Sequence, residues 1–390
     1  LAQLREQTRC QPEDYLREPL VTFHLIRLAD SVFQLMINFH HVAIDGWTSA
    51  LLLSRLEALY RGKAPDFQLL GMDRYFQWLQ QKETQKAKGY WENLVGDYQR
   101  RVELPSSYPR LADRVPHPQS ETVVVASPLL NRLQAWCDHN RVTLNALVQT
   151  VWGTILSAET GQRDVVIGAT VSGREAAIDG IGSIAGMLIN TLPVRLMFDA
   201  DQPISVLVKK TGQQFAESLA HGHLSLADIQ ALSLARNHLI THTLVFENYP
   251  QDAATEGWNW QVVDVFDPMQ FDFGLIVAPH TDTLSFRFVF DAKLHTNNRV
   301  IALGNRLISL LESAIAEAQT SESLRQLATA EGMPGGWFVT ANFTADLMLD
   351  TLQLFEHLTL QDAGQLLKLI CCPHFYILML IKFLAILHQI

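Results

Sequence analysis

A chain of 390 residues with 48% hydrophobic and 18% charged side chains has apolar material for two to three ordinary domains, which excludes a small cross-linked module and a mainly disordered polypeptide. Thirty Lys and Arg against 40 Asp and Glu leave a net charge of −10, and without a dense basic stripe the footprint of a nucleic-acid binder is missing. The four cysteines, Cys10, Cys137, Cys371 and Cys372, show no CxxC spacing and read as reduced thiols in a cytoplasmic protein, neither zinc ligands nor a disulfide framework.

Leu1 to Arg9 is polar and charged and does not begin with Met, so it reads as the interior of a longer polypeptide with no targeting peptide. Two β-rich runs, Leu20 to Leu28 and Val32 to Phe39, flank a polar turn and predict an antiparallel hairpin. Period two puts Phe33, Leu35, Ile37 and Phe39 on one face and Gln34, Asn38 and His40 on the other, with His41 continuing the apolar parity. Beyond Val42-Ala43-Ile44-Asp45-Gly46-Trp47, Thr48 or Ser49 is expected to cap a helix that carries Leu52, Leu56 and Leu59 and closes at Gly62. A second helical region is expected from Met72 to about Asp97. Four prolines within residues 104–118 then mark the best linker candidate.

From Thr122 the pattern restarts. It predicts strands at 122–126, 164–170, 187–198, 242–246, 274–278 and 284–290, and helices at 129–140, 144–160, 204–220 and 299–319. The rhythm is not a strict βαβ alternation, so the fold class is α/β of the mixed α+β kind, with mixed sheets covered by helices. The apolar run from Leu369 to Leu387 is long enough to raise a transmembrane helix, but Pro373 and Lys382 favour a buried helix of a following domain or a non-native tail.

His40-His41-Val42-Ala43-Ile44-Asp45-Gly46 concentrates the chemistry: two imidazoles and a carboxylate within seven residues, at the end of an apolar strand and ahead of a glycine turn. Adjacent strand residues point to opposite faces, so His40 and His41 do not readily share one metal ion, and no metal is expected. An imidazole titrates near neutrality, which suits it to take or steer a proton from an attacking amine or hydroxyl.

His40 to Gly46, followed by Trp47 and Thr48, resembles the HHxxxDGxS signature of the condensation domains of nonribosomal peptide synthetases, which share the chloramphenicol acetyltransferase fold. Tyr75-Phe76-Gln77-Trp78, Tyr90-Trp91, Thr160 to Gly168, Val171 to Arg174, Ile181 to Arg195, His223 to Leu226 and Phe246 to Pro250 extend the resemblance, in order, over about residues 1–328. It implies two chloramphenicol-acetyltransferase-like lobes forming a V around a central tunnel: 1–104 a partial N-terminal lobe, 105–121 a linker, 122–328 the C-terminal lobe, and 329–390 a following segment or apolar tail. It implies that the hairpin's sheet is left with an unpaired edge, because the family has further N-terminal sequence. The implied reaction is amide formation between a carrier-bound aminoacyl or peptidyl thioester and an aminoacyl acceptor. His41 would be catalytic, His40 supportive, and the Gly46 amide would face the developing oxyanion. Asp45 would be structural and paired with Arg195, while Trp47 and Asn190 would line the tunnel. No cofactor binds directly; phosphopantetheine arms of upstream and downstream carrier domains bring the substrates, and an adenylation domain is the expected neighbour. An ester-forming or acyl-CoA-dependent relative, or a non-catalytic fragment or carrier-docking scaffold, is the competing reading.

Overall fold

The computed structural model describes residues 4–5, 19–63, 68–109, 117–247, 263, 271–316, 320–329 and 379–384. The hairpin forms as expected: β1 (Val21–Ala29) pairs antiparallel with β2 (Val32–Phe39), Val21 opposite Phe39. Burial on β2 does not follow the expected single apolar face, because Gln34, Leu35 and Met36 are all buried. Leu4 and Ile26 pack on Met36, so the face expected to be polar is covered as well, and β2 is the middle strand of three, with β9 (Met379–Leu384) antiparallel on its other side. The apolar tail therefore contributes a strand where a helix was expected, β9 occupies one side of β2, and among the described residues the outer side of β1 is the unpaired one.

Helix α1 (Gly46–Tyr60) follows the loop after β2. Its cap is Asp45 and not the expected Thr48 or Ser49: the Asp45 carboxylate accepts from Thr48 N–H at 2.8 Å, as N-cap side chains do. Gly62, at φ +66°, ends the turn that follows. The single helical region expected from residue 72 is two helices, α2 (Asp73–Gln80) and α3 (Thr84–Val95).

The second sheet has six strands in the order β3-β8-β7-β6-β4-β5. These are β3 (Pro118–Ala126), β4 (Asp164–Val171), β5 (Asn190–Met197), β6 (His242–Phe246), β7 (Phe273–Pro279) and β8 (Thr283–Asp291). The central pairs β4/β6 and β6/β7 are parallel and the others antiparallel, the mixed sheet the sequence predicts. Helices α4 (Ser127–Asn140), α5 (Leu144–Thr160), α6 (Ile204–Ala220), α7 (Leu226–Leu232), α8 (Asn297–Ala314) and α9 (Ser321–Thr329) accompany it. Buried almost throughout, α5 is capped by Thr143, which accepts from Ala146 N–H at 3.1 Å, and stopped by the left-handed Gly161.

One buried cluster holds Trp91, Val95, Tyr98 and Leu104 together with Leu133, Trp152, Val166, Phe273, Phe288 and Leu307. Helix α3 thus shares the core of the six-stranded sheet, whereas the hairpin buries a separate small cluster around Met36. Of the proline-rich segment, Pro118–Glu121 belong to β3, and residues 110–116 lie outside the described residues. So do Cys10, Cys371, Cys372, Asn248 and the segment Trp337 to Thr344.

Candidate active site

Strand β2 ends at Phe39 and releases the two histidines into a turn, in which Ala43 N–H donates to the His40 carbonyl at 3.0 Å. His40 is tied locally, its Nδ1 accepting from Val42 N–H at 3.1 Å. The His41 ring stands edge-on to Phe39, centroids 6.3 Å apart, and no described residue bonds its buried Nδ1. Two adjacent imidazoles are thus placed differently: one closes its own turn, and the other keeps a ring nitrogen uncommitted.

Asp45 is fully buried, and its carboxylate is saturated. Oδ1 accepts from Thr48 N–H, while Oδ2 accepts from Arg174 Nη1 at 2.7 Å and from Leu188 N–H at 3.2 Å. Arg174 lies in the loop after β4 and is nearly as buried. Its second nitrogen reaches the Ile184 carbonyl at 3.2 Å and Thr48 Oγ1 at 3.3 Å, and its guanidinium sits 5.2 Å from the Trp47 ring centroid. Thr48 Oγ1 also donates to the Gly186 carbonyl at 2.8 Å and accepts from Gly186 N–H at 3.1 Å. The turn after β2 is therefore bolted to the loop 172–188 by a buried ion pair in which both terminal guanidinium nitrogens are bonded.

The expected partner of Asp45 was Arg195, and the structure corrects this. Arg195 forms a fork with Asp164 (2.9 and 2.7 Å) and reaches Asp97 at 2.6 Å, and it holds the Asp97 carboxyl below the usual carboxylate range. Geometry forbids the expected pair. Asp45 bonds the amide of Leu188, and the seven residues from there to Arg195 run mainly along β5, about 23 Å at strand rise, beyond the reach of a side chain.

Trp47 and Asn190, expected along the tunnel, both have their polar atoms in backbone contacts. Trp47 Nε1 donates to the Gly182 carbonyl at 2.9 Å. Asn190 Nδ2 donates to the Gly222 and Leu224 carbonyls, both at 2.8 Å, and its Oδ1 accepts from Thr191 N–H at 2.9 Å. Residues 221–224 are also held by Trp91 Nε1, which donates to the His221 carbonyl at 3.0 Å. Trp78 stacks on Tyr75 (5.5 Å between centroids) and meets His223 edge-on (6.2 Å). Among the described residues no three His, Cys, Asp or Glu side chains assemble a metal site, and no helix is long and apolar enough to cross a membrane.

Residues 1–333 match the sequence model of the Condensation domain. The chain belongs to the condensation-domain family. Bacitracin synthase 3 of Bacillus licheniformis is 31% identical over 325 residues, 80% of this chain and 5% of that protein. Tyrocidine synthase 2 of Brevibacillus parabrevis is 28% identical over 345 residues, 82% of this chain and 10% of that protein. The chain thus spans a small part of the length of these curated relatives. Among solved structures, a four-domain nonribosomal peptide synthetase bound to AMP and glycine superposes with a TM-score of 0.69 at 18% identity, covering 82% of this chain and 26% of that one. The first condensation domain of the calcium-dependent antibiotic synthetase, in complex with a substrate analogue, superposes with a TM-score of 0.64 at 20% identity, covering 82% and 75%. Condensation domains are acyl-transferring, peptide-bond-forming enzymes, and the mixed α/β fold expected of this chain is theirs.

Arg174 is the site residue that sequence reasoning missed. The stretch Val171-Ser172-Gly173-Arg174 was recognised as a motif, and Gly173 was the available signal: at φ +70° it turns the chain out of β4 and sends the next side chain back towards α1.

Proposed function

We propose that this condensation domain joins an aminoacyl or peptidyl thioester on one carrier domain to the amine of an aminoacyl thioester on another. The acceptor nitrogen forms the new bond to the donor carbonyl carbon, the carbon–sulfur bond breaks, and one proton passes from the nitrogen to the departing thiol. Phosphopantetheine arms on both carriers present the substrates, an adenylation domain is the expected neighbour in the parent cytoplasmic synthetase, and two lobes enclose the tunnel in which they meet. Holding two tethered reactants side by side supplies much of the rate, so a single imidazole suffices for the proton.

The observation that carries this reading is the uncommitted Nδ1 of His41, four residues ahead of a carboxylate with no capacity left. Asp45 is consumed by Arg174 and two amides, so it serves as a brace and not as a relay partner for His41. His40, bonded within its turn, supports the loop. Gly46 is the first residue of α1, where an amide at the positive end of the helix suits a developing oxyanion. An ester-forming relative would use the same groups with a hydroxyl acceptor.

The test is product formation, followed by mass spectrometry, from two loaded carrier proteins. His41→Ala is expected to fold normally and lose at least a hundredfold in rate, the scale of removing a general base. Wild-type turnover by this variant would reject the assignment. Folded protein that binds carriers without making product in either form would support the docking-scaffold reading.

A further inference from the structure

Leu70 to Met72, just ahead of α2, run along the loop 172–188. Leu70 N–H donates to the Ser183 carbonyl at 2.8 Å, and the Leu70 carbonyl accepts from Ala185 N–H at 2.9 Å, a parallel bridge that occupies both of its polar groups. Two residues on, the Met72 carbonyl accepts from Phe76 N–H at 3.0 Å as α2 begins, so the backbone is fixed on either side of the Met72 thioether. That thioether fills a notch at Gly186: a Cβ there would run into Met72 Sδ and lie 2.5 Å from its Cγ. Gly186 is thus gripped by the Met72 side chain and by Thr48 Oγ1, which bonds both its N–H and its carbonyl. Thr48 lies in the first turn of α1 with its own amide on Asp45, and Leu188, two residues past Gly186, gives its amide to the same carboxylate. The seating of Gly186 therefore sets how the loop meets the brace and the Gly46 end of α1.

The notch suits a thioether and rejects a sulfoxide. All four amides from 183 to 186 are committed: Ser183 to the Gly180 carbonyl (2.8 Å), Ile184 to that of Ile181 (3.1 Å), Ala185 to that of Leu70 (2.9 Å) and Gly186 to the Thr48 hydroxyl (3.1 Å). A sulfoxide turns a flexible apolar side chain into a polar one whose oxygen needs a donor. This stretch has no amide to give, so the oxygen turns to water and draws the sulfur away from Gly186. Met72 is half-buried between the exposed Gly71 and Asp73, within reach of a small oxidant. Met36, by contrast, is fully buried, and Met187 and Met197 are exposed, where a sulfoxide is hydrated in place.

We infer that Met72 is a modification site: its Sδ takes an oxygen atom from a peroxide, and the sulfoxide unseats the loop 172–188 from α1 and slows the domain. One peroxide oxygen bonds to Sδ as the O–O bond breaks. The other oxygen leaves with the O–O electron pair and takes the proton of the transferred oxygen, departing as water when the oxidant is hydrogen peroxide. Sulfur gives up two electrons and the peroxide gains them. Sulfoxide reductases reverse the change. The inference rests on the condensation reading for its rate measurement alone, and its structural measurement needs no turnover.

In the experiment the full chain is treated with hydrogen peroxide, the excess is removed with catalase before any carrier is added, and sulfoxides are located by peptide mass spectrometry. Oxidation of Met72 is expected to speed hydrogen exchange across residues 183–188 and to cut product formation from two loaded carriers about tenfold, both restored by methionine sulfoxide reductases. Met72→Leu, which keeps an apolar side chain of similar volume, is expected to start within about twofold of the wild-type rate and to hold its rate and exchange after treatment. The double variant Met187→Leu/Met197→Leu is expected to stay as sensitive as the wild type. A reduced Met72 beside oxidised Met187 and Met197, unchanged exchange across 183–188 in the Met72 sulfoxide, or equal loss of rate in Met72→Leu would overturn the inference. Faster exchange on oxidation in a chain that makes no product beforehand would keep Met72 as the site and count against the condensation reading instead.

Discussion

Asp45 and Arg174 show how a residue can matter more for geometry than for net stability. Both are almost wholly removed from water, so their attraction is largely offset by lost hydration, and what remains is direction. Removing one partner strands the other. Asp45→Ala is expected to cost about 3–5 kcal/mol in denaturant unfolding, and the pair Asp45→Leu with Arg174→Met clearly less than the sum of the two single changes. Thr48→Ser is expected to be nearly neutral because it keeps both bonds to Gly186, while Thr48→Val, of similar size, leaves the Gly186 amide and carbonyl unmatched and costs about 1–3 kcal/mol. The histidines of the 221–223 turn respond to pH with a fixed sign. Burial, the leading cause, lowers both the His221 and His223 pKa, so their contribution is fully present above about 6.5, the ordinary imidazole value, and is lost as the pH falls through the lowered folded-state values. Unfolding followed between pH 7 and 5 is expected to show this loss, and to show less of it in His221→Gln/His223→Gln.

At the scale of elements, periodicity was legible where one face is buried and cap chemistry was local. Helices α5 and α6 and strand β6 begin and end where their apolar patterns and caps place them. Legibility failed where a neighbour distant in sequence decides the outcome. The burial of both faces of β2 depends on Leu4, near the start of the chain, its second pairing on β9 from the far end, and the split between α2 and α3 has no proline to announce it. The same limit explains the site. The histidine pair and its carboxylate are one short motif and could be read directly, whereas the choice between Arg174 and Arg195 depends on which arginine the tertiary fold carries back to α1. A glycine of the Arg174 loop, set against one outside it, tests that account. A Cβ on Gly173 would lie 1.9 Å from the Leu188 carbonyl oxygen, while one on Gly161, with nearly the same φ, meets nothing within 4 Å. Gly161→Ala is expected to cost about 1–2 kcal/mol, the strain of the left-handed backbone alone, and Gly173→Ala considerably more, read as a larger fall in Tm.

Across the whole molecule, the large core ignores the proline-rich segment that divides the sequence. Trp91 and Leu104 precede it, yet they are buried with Phe288 and Leu307, which follow it by more than half the described chain. Trp91→Ala is expected to cost about 3–5 kcal/mol and to destabilise the six-stranded sheet, seen as an earlier loss of protection in hydrogen exchange of β4 and β5. The strand order sets a further condition, on synthesis. Among the described residues β3 lies at an edge of the sheet and pairs only with β8, Pro118 facing Asp291. At ribosomal rates of about 5–20 residues per second, β3 leaves the exit tunnel on the order of ten to thirty seconds before its partner exists. Its Val123-Val124-Val125 run is an unpaired β-rich edge during that interval, open to pairing with its neighbours on the polysome until β8 closes the sheet.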